Sequence, residues 1–136
     1  MEEKLIKLAM EAMEKAYAPY SGYKVGAALL CKDGTVFQGC NIENASYTPT
    51  ICAERTAFST AVARGYREFT AIAICGGKDG VIEGLFPPCG VCRQVMREFC
   101  GDDFLIYLVD ADGKYEAVTL AQLLPHSFQA NTHMNP

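Results

Sequence analysis

Two apolar runs, Phe69 to Cys75 and Phe104 to Val109, bracket a segment that reads as a helix from about Cys89 to Phe99. Strand, helix and strand in that order need a crossover, because neighbouring parallel strands cannot be joined by a tight turn. Such a unit has to be covered by helices on its faces. Hairpins flank it on both sides. Val25 to Cys31 and Thr35 to Asn41 read as strands around Asp33-Gly34, and Tyr115 to Val118 follows the second turn signal, Asp112-Gly113. Residues 2–17 carry Leu5, Leu8, Ala9, Ala12, Met13, Ala16 and Tyr17 at helical spacing, with charges opposite. Ala18-Pro19-Tyr20-Ser21-Gly22 closes that helix. A further helix runs from about Pro49 or Ile51 to Ala63, with a threonine beside Pro49 as its cap. Gly76 to Pro88 reads as glycine-rich and irregular, and Leu120–Leu124 as a short helix ahead of a polar tail. The order α-β-β-α-β-α-β-β-α predicts an α/β fold, a three-layer α/β/α sandwich around a mixed sheet of about five strands.

A chain of 136 residues suits one domain, spanning 1–136. With 50% hydrophobic and 21% charged residues it is not a disordered polymer. Twelve basic against sixteen acidic residues, a net charge of −4, argue against a nucleic-acid binder. No apolar run approaches the ~20 residues of a membrane span. The acidic start, Met1-Glu2-Glu3-Lys4, lacks a secretory n-region. Seven cysteines cannot all pair within one chain. A reducing cytoplasm is therefore the expected location, and there cysteines are buried, metal-bound or catalytic.

Two motifs carry chemistry: Cys52-Ala53-Glu54 and Pro88-Cys89-Gly90-Val91-Cys92, each expected at a helix start. Cys-x-x-Cys alone allows a redox dithiol, a zinc pair or coincidence. The third cysteine changes the weighing. If both helices begin at one edge of the sheet, three thiolates converge where helix N-termini favour negative charge. Three protein ligands with one open position form a catalytic zinc arrangement. Glu54 sits two residues after a ligand, where a carboxylate can move protons for a metal-activated water. Three thiolates leave the site net negative, so a cation is needed, and Arg55, then Arg93, are the candidates. The bland alternatives are buried thiols, a thiol-redox module, or a structural zinc completed by Cys40 or Cys100. Those alternatives give Glu54 no task.

With these motifs the chain resembles the small cytidine deaminases that act on free nucleosides, and it matches the three-cysteine form of the zinc-deaminase signature. The likeness runs from Tyr17-Ala18-Pro19-Tyr20-Ser21 to Leu124-Pro125. It takes in Val25-Gly26-Ala27-Ala28-Leu29, Gly39-Cys40-Asn41-Ile42-Glu43-Asn44-Ala45, Cys52-Ala53-Glu54-Arg55 and Pro88-Cys89-Gly90-Val91-Cys92-Arg93-Gln94. The resemblance implies a homotetramer with one Zn²⁺ per subunit, converting cytidine or deoxycytidine to uridine or deoxyuridine plus ammonia in pyrimidine salvage. It implies Cys52, Cys89 and Cys92 as ligands, with Glu54 shuttling protons for a zinc-bound hydroxide that attacks C4. It also implies Asn41 and Glu43 on the ribose hydroxyls, Tyr23 beside the pyrimidine, Ala53 in the substrate site, and Tyr47 and Phe128 reaching across subunit interfaces. Pro87 and Val91 depart from the family's usual residues, and the Gly76–Phe86 loop is a few residues longer than usual. A related deaminase of a nucleotide or a blasticidin-type antibiotic is the alternative. The Asn41-x-Glu43 pair argues against the antibiotic, and the lack of a Lys/Arg cluster against a phosphate.

Overall fold

The apolar run that starts at Phe69 forms the middle of a five-stranded sheet in the order β2-β1-β3-β4-β5. The structure is a computed structural model that describes residues 1–130. In chain order its elements are α1 (Glu2–Met13), β1 (Tyr23–Cys31), β2 (Val36–Cys40), α2 (Ala53–Ala63), β3 (Phe69–Lys78), α3 (Gly90–Phe99), β4 (Leu105–Val109), β5 (Tyr115–Thr119) and α4 (Leu120–Leu123). β1 lies antiparallel to β2 and β3, β4 lies antiparallel to β5, and among the described strands only β3 and β4 pair in parallel. The one parallel pair is the crossover through α3 that the two apolar runs demand.

Helices cover both faces, as expected. On one face Leu29, Ile72, Ile74, Ile106 and Leu108 meet Ala57, Phe58 and Ala61 of α2, Met96 of α3 and Leu120 of α4. On the other, Ala28, Ala73 and Cys75 receive Leu5, Ile6, Ala9 and Met13 of α1. Two glycines set how closely helices approach. A Cβ at Gly26 would lie 2.1 Å from the Ala9 carbonyl oxygen, so α1 rests on bare β1 backbone. A Cβ at Gly39 would lie 2.4 Å from the Ala53 carbonyl oxygen and 2.5 Å from the Ala57 nitrogen. The first turn of α2 is thereby seated on β2.

Three local expectations are corrected. α1 stops at Met13, not Tyr17, because Tyr17 leaves the helix to pair with Ile42: Tyr17 N–H donates to Asn41 and Glu43 N–H to Tyr17. α2 begins at Ala53, with Cys52 as its N-cap instead of a threonine beside Pro49, because Ile51 is held in a bridge with Ile42. Thr50 turns its hydroxyl to the Asn44 N–H at 3.0 Å. Gly76 and Gly77 are not irregular loop; β3 continues through them to Lys78.

Candidate active site

The Tyr17–Ile42–Ile51 bridges carry the chain from the end of β2 to the mouth of α2. Cys52 caps that mouth in an extended conformation, and Cys89 caps α3 in the same way after the buried Pro88. Cys92 stands three residues further on, on the same helix face as Cys89. The Sγ atoms of Cys52 and Cys89 are 3.7 Å apart, those of Cys89 and Cys92 3.4 Å, and all three lie within 4.8 Å of one another. Among the described residues no fourth side chain joins this cluster. Cys100 closes the far end of α3, and Cys40 gives its thiol to the Lys15 carbonyl at 3.6 Å. Neither completes a structural tetrad.

The electrostatics single out the cluster. The Cys92 thiol and the Arg55 guanidinium both hydrogen-bond to Cys52 and outweigh burial, so its pKa falls to about 5. Arg55 Nη2 donates to Cys52 Sγ at 3.5 Å. Cys92 moves the other way, raised by that same bond, by burial and by the neighbouring negative charges of Glu54 and Cys52. A cation among the three would relieve this conflict and displace the remaining protons. Cys75 and Cys100, by contrast, are pushed up to about 12 by burial and remain packing residues.

Glu54 is 4% exposed, and its Oε1 has no hydrogen-bond partner among the described residues. Burial raises its pKa to about 7, with the Cys52 charge adding to the rise and Arg55 opposing it. A buried carboxylate oxygen without a partner is costly unless something that binds there uses it. Three soft thiolate donors with a fourth position free, beside that oxygen, suit a zinc ion that activates water.

Two thiols of the cluster line a cavity of about 210 Å³ that Cys52, Ala53, Glu54 and Cys89 share with Asn41, Glu43 and Tyr23. Asn41 is buried, with Oδ1 accepting from Val25 N–H at 2.9 Å and Nδ2 donating to the Tyr23 carbonyl at 2.8 Å. It ties the end of β2 to β1 while its amide edges the cavity. Glu43 Oε1 accepts from Tyr20 N–H at 2.9 Å and Ser21 N–H at 3.1 Å, and Oε2 receives the Ser21 hydroxyl. These donors, the hydroxyl first, hold the Glu43 carboxyl below its usual range.

Other expected residues stand elsewhere. Arg93 gives Nε to the Pro88 carbonyl at 2.8 Å and Nη1 to the Leu123 carbonyl at 2.7 Å, so these donors brace α3 and are not on a thiolate. Tyr47 (77% exposed, φ 62°) and Phe128 (55% exposed) lie outside the cavity wall, and the Phe128 carbonyl accepts from Gln94 Nε2 at 3.0 Å. Pro87 does line the cavity, whereas Val91 is exposed on α3 and does not. Sequence reasoning missed Phe86, whose ring lies 6.3 Å from that of Tyr23 and completes the aromatic wall. Its place three residues before Cys89 was the available signal. A larger depression of about 520 Å³, near Lys32, Arg67 and Asp102, lies away from the thiol cluster.

Residues 1–108 match the family model described as "Cytidine and deoxycytidylate deaminase zinc-binding region". The chain is 50% identical over 126 residues to a cytidine deaminase of Sporosarcina psychrophila, covering 93% of this chain and 90% of that protein. It is 50% identical to one from Halalkalibacterium halodurans, with 93% and 92% covered. A crystal structure of cytidine deaminase from Burkholderia pseudomallei superimposes with a TM-score of 0.87 at 48% identity, covering 94% of this chain and 99% of that one. Thiol cluster, buried carboxylate, sheet order and these likenesses agree: the chain belongs to the cytidine and deoxycytidylate deaminase zinc-binding family.

Proposed function

We propose that this chain hydrolyses the exocyclic C–N bond of cytidine and deoxycytidine, giving uridine or deoxyuridine and ammonia. The observation that carries the reading is the buried Glu54 oxygen, without a partner among the described residues, beside three convergent thiols and in a cavity that Asn41 and Glu43 also line. Cys52, Cys89 and Cys92 would hold the zinc. When bound, zinc supplies Lewis acidity that makes water nucleophilic near neutral pH.

The chain's own residues do the rest. Glu54 takes a proton from the attacking water as oxygen bonds to C4, and delivers it to N3. The second water proton passes to the amino group, which leaves as ammonia when the C4–N bond breaks and the carbonyl forms. The N3 proton remains in the product, so atoms and charge balance. Arg55 offsets the negative charge of the thiolates through its bond to Cys52. Tyr23 and Phe86 flank the pyrimidine, Ala53 backs it, and Asn41 and Glu43 receive sugar hydroxyls.

We further infer a cytoplasmic homotetramer serving pyrimidine salvage. No helix among the described residues is long and apolar enough to cross a membrane. Exposed Tyr17, Tyr20, Ile42, Tyr47 and Phe128 support association, with Tyr47 and Phe128 entering a neighbouring subunit's site. Metal-replete protein should bind one zinc per chain and reduce the ultraviolet absorbance of cytidine and deoxycytidine, leaving dCMP and cytosine unchanged. Inactivity on both nucleosides overturns the reading. Light scattering should give four times the 14.8 kDa chain mass, and a monomer mass rules out the tetramer.

A further inference from the structure

β3 outruns its apolar stretch and pairs Lys78 with Tyr23 at the start of β1. The two glycines ahead of Lys78 make room for the returning loop. A Cβ at Gly77 would lie 1.8 Å from the Val81 carbonyl oxygen, and one at Gly76 would lie 2.9 Å from the Phe86 ring. Lys78 is delivered in this way to Ser21 and Tyr23, two residues of the cavity lining. Its ammonium donates to the Ser21 carbonyl at 2.8 Å and sits 5.3 Å from the Tyr23 ring centroid. Gly22, at φ +76°, leaves the space it occupies; a Cβ there would meet Nζ at 2.8 Å. Asp79 N–H donates to the Gly22 carbonyl at 2.7 Å, so one side chain and one backbone group together grip residues 21 and 22.

That turn is what holds Glu43. The Tyr20 and Ser21 N–H groups and the Ser21 hydroxyl all converge on its carboxylate, and the same hydroxyl accepts from Tyr23 N–H at 3.0 Å. The Lys78 charge also favours the carboxylate directly. Within one chain Tyr20, Ser21 and Tyr23 are exposed, and Lys78 with the Asp79 N–H grips the turn from the end of β3.

We propose that Lys78 is a positioning residue for substrate recognition: seated on the Ser21 carbonyl and the Tyr23 ring, its ammonium fixes the turn whose donors aim Glu43 at a sugar hydroxyl. This rests on the reading of Glu43 as a sugar contact. A turn already held before substrate arrives spares each binding event the cost of ordering it. Lys78 stays clear of the reacting carbon. Its loss therefore belongs in KM, and only for substrates that carry the hydroxyls Glu43 receives.

Steady-state kinetics on zinc-loaded protein test this with cytidine and 2′,3′-dideoxycytidine. Lys78→Met should raise KM for cytidine by roughly 5- to 10-fold, about the net worth of one ordinary hydrogen bond, and change kcat by less than about 2-fold. The same variant should leave kcat/KM for the dideoxy substrate within about 2-fold, and Lys78→Arg should recover most of the loss. Glu43→Gln should collapse the preference for cytidine over its dideoxy analogue. If it does, while Lys78→Met leaves the cytidine KM unchanged or raises both substrates' KM alike, the positioning role is overturned and the sugar contact stands. If Glu43→Gln preserves the preference, the sugar contact itself fails and the proposal with it. A Lys78→Met protein that melts lower or loses zinc makes Lys78 a structural residue, which also overturns the assignment.

Discussion

Glu54 combines burial with an oxygen that has no partner among the described residues, so neither water nor protein satisfies it. Glu54→Gln keeps the shape and removes the proton-carrying group, so turnover should fall by at least ~10²–10⁴-fold. Zinc content by atomic absorption should stay at one per chain, because Glu54 is not a ligand; retained turnover would remove it from proton transfer. Glu43 titrates under the opposite influence. Its folded-state pKa is depressed by the Ser21 hydroxyl and N–H, so the charged form is the one stabilised, and that stabilisation is lost only as pH falls through the depressed value. A ¹³C titration of its carboxyl should show a midpoint below the ordinary ~4.3. Ser21→Ala should move the midpoint back upward, and an ordinary midpoint in the unaltered chain would contradict the contact. The motif residues were legible because Cys, Glu and Pro at those spacings have few other uses. Phe86 and Lys78 were not, because a single aromatic or cation in a loop gains meaning only from what the fold sets beside it.

At the scale of elements, Gly39 is the seat of α2. A Cβ there would collide with the Ala53 carbonyl and the Ala57 nitrogen, both of them backbone, so the helix rather than a side-chain tip would have to move. Gly39→Ala should destabilise the fold by about 1–3 kcal/mol, and should lower zinc content because Cys52 rides on the displaced turn. A thermal melt with metal analysis checks both, and an unchanged melting temperature would contradict the close approach. The element order was readable from periodicity and turn signals, since α1, the two hairpins and the crossover are each specified locally. Three boundaries were not. Tyr17 and Ile51 are drawn out of helical continuations by pairing with Ile42, contacts whose partners lie 25 and 9 residues away along the chain. Gly76 and Gly77 look like loop until the sheet supplies β1 as a partner, a case of tertiary context overriding propensity.

For the whole molecule, the place of the thiol cluster predicts that folding and metal loading are separate events. No thiol of the cluster belongs to the sheet; the cluster joins the mouth of α2 to the mouth of α3, from positions 37 residues apart. The core beneath both helices is continuous and apolar, from Leu29 and Ile72 through Phe58 to Met96. Chelated protein should therefore keep its far-ultraviolet circular dichroism, unlike a zinc finger, which unfolds without metal. Its melting temperature should drop by roughly 10 °C, about the effect of removing a ligand present at a hundredfold excess over its Kd from a chain of this length. Restored zinc should reverse the drop, whereas loss of secondary structure on chelation would show that the fold needs the ion. If the fold is kept, the ion would be a rivet set late into a finished frame. Chains made during zinc scarcity would persist as a dormant, folded stock, and enzyme supply could follow the metal within the time of a binding event, with no new synthesis.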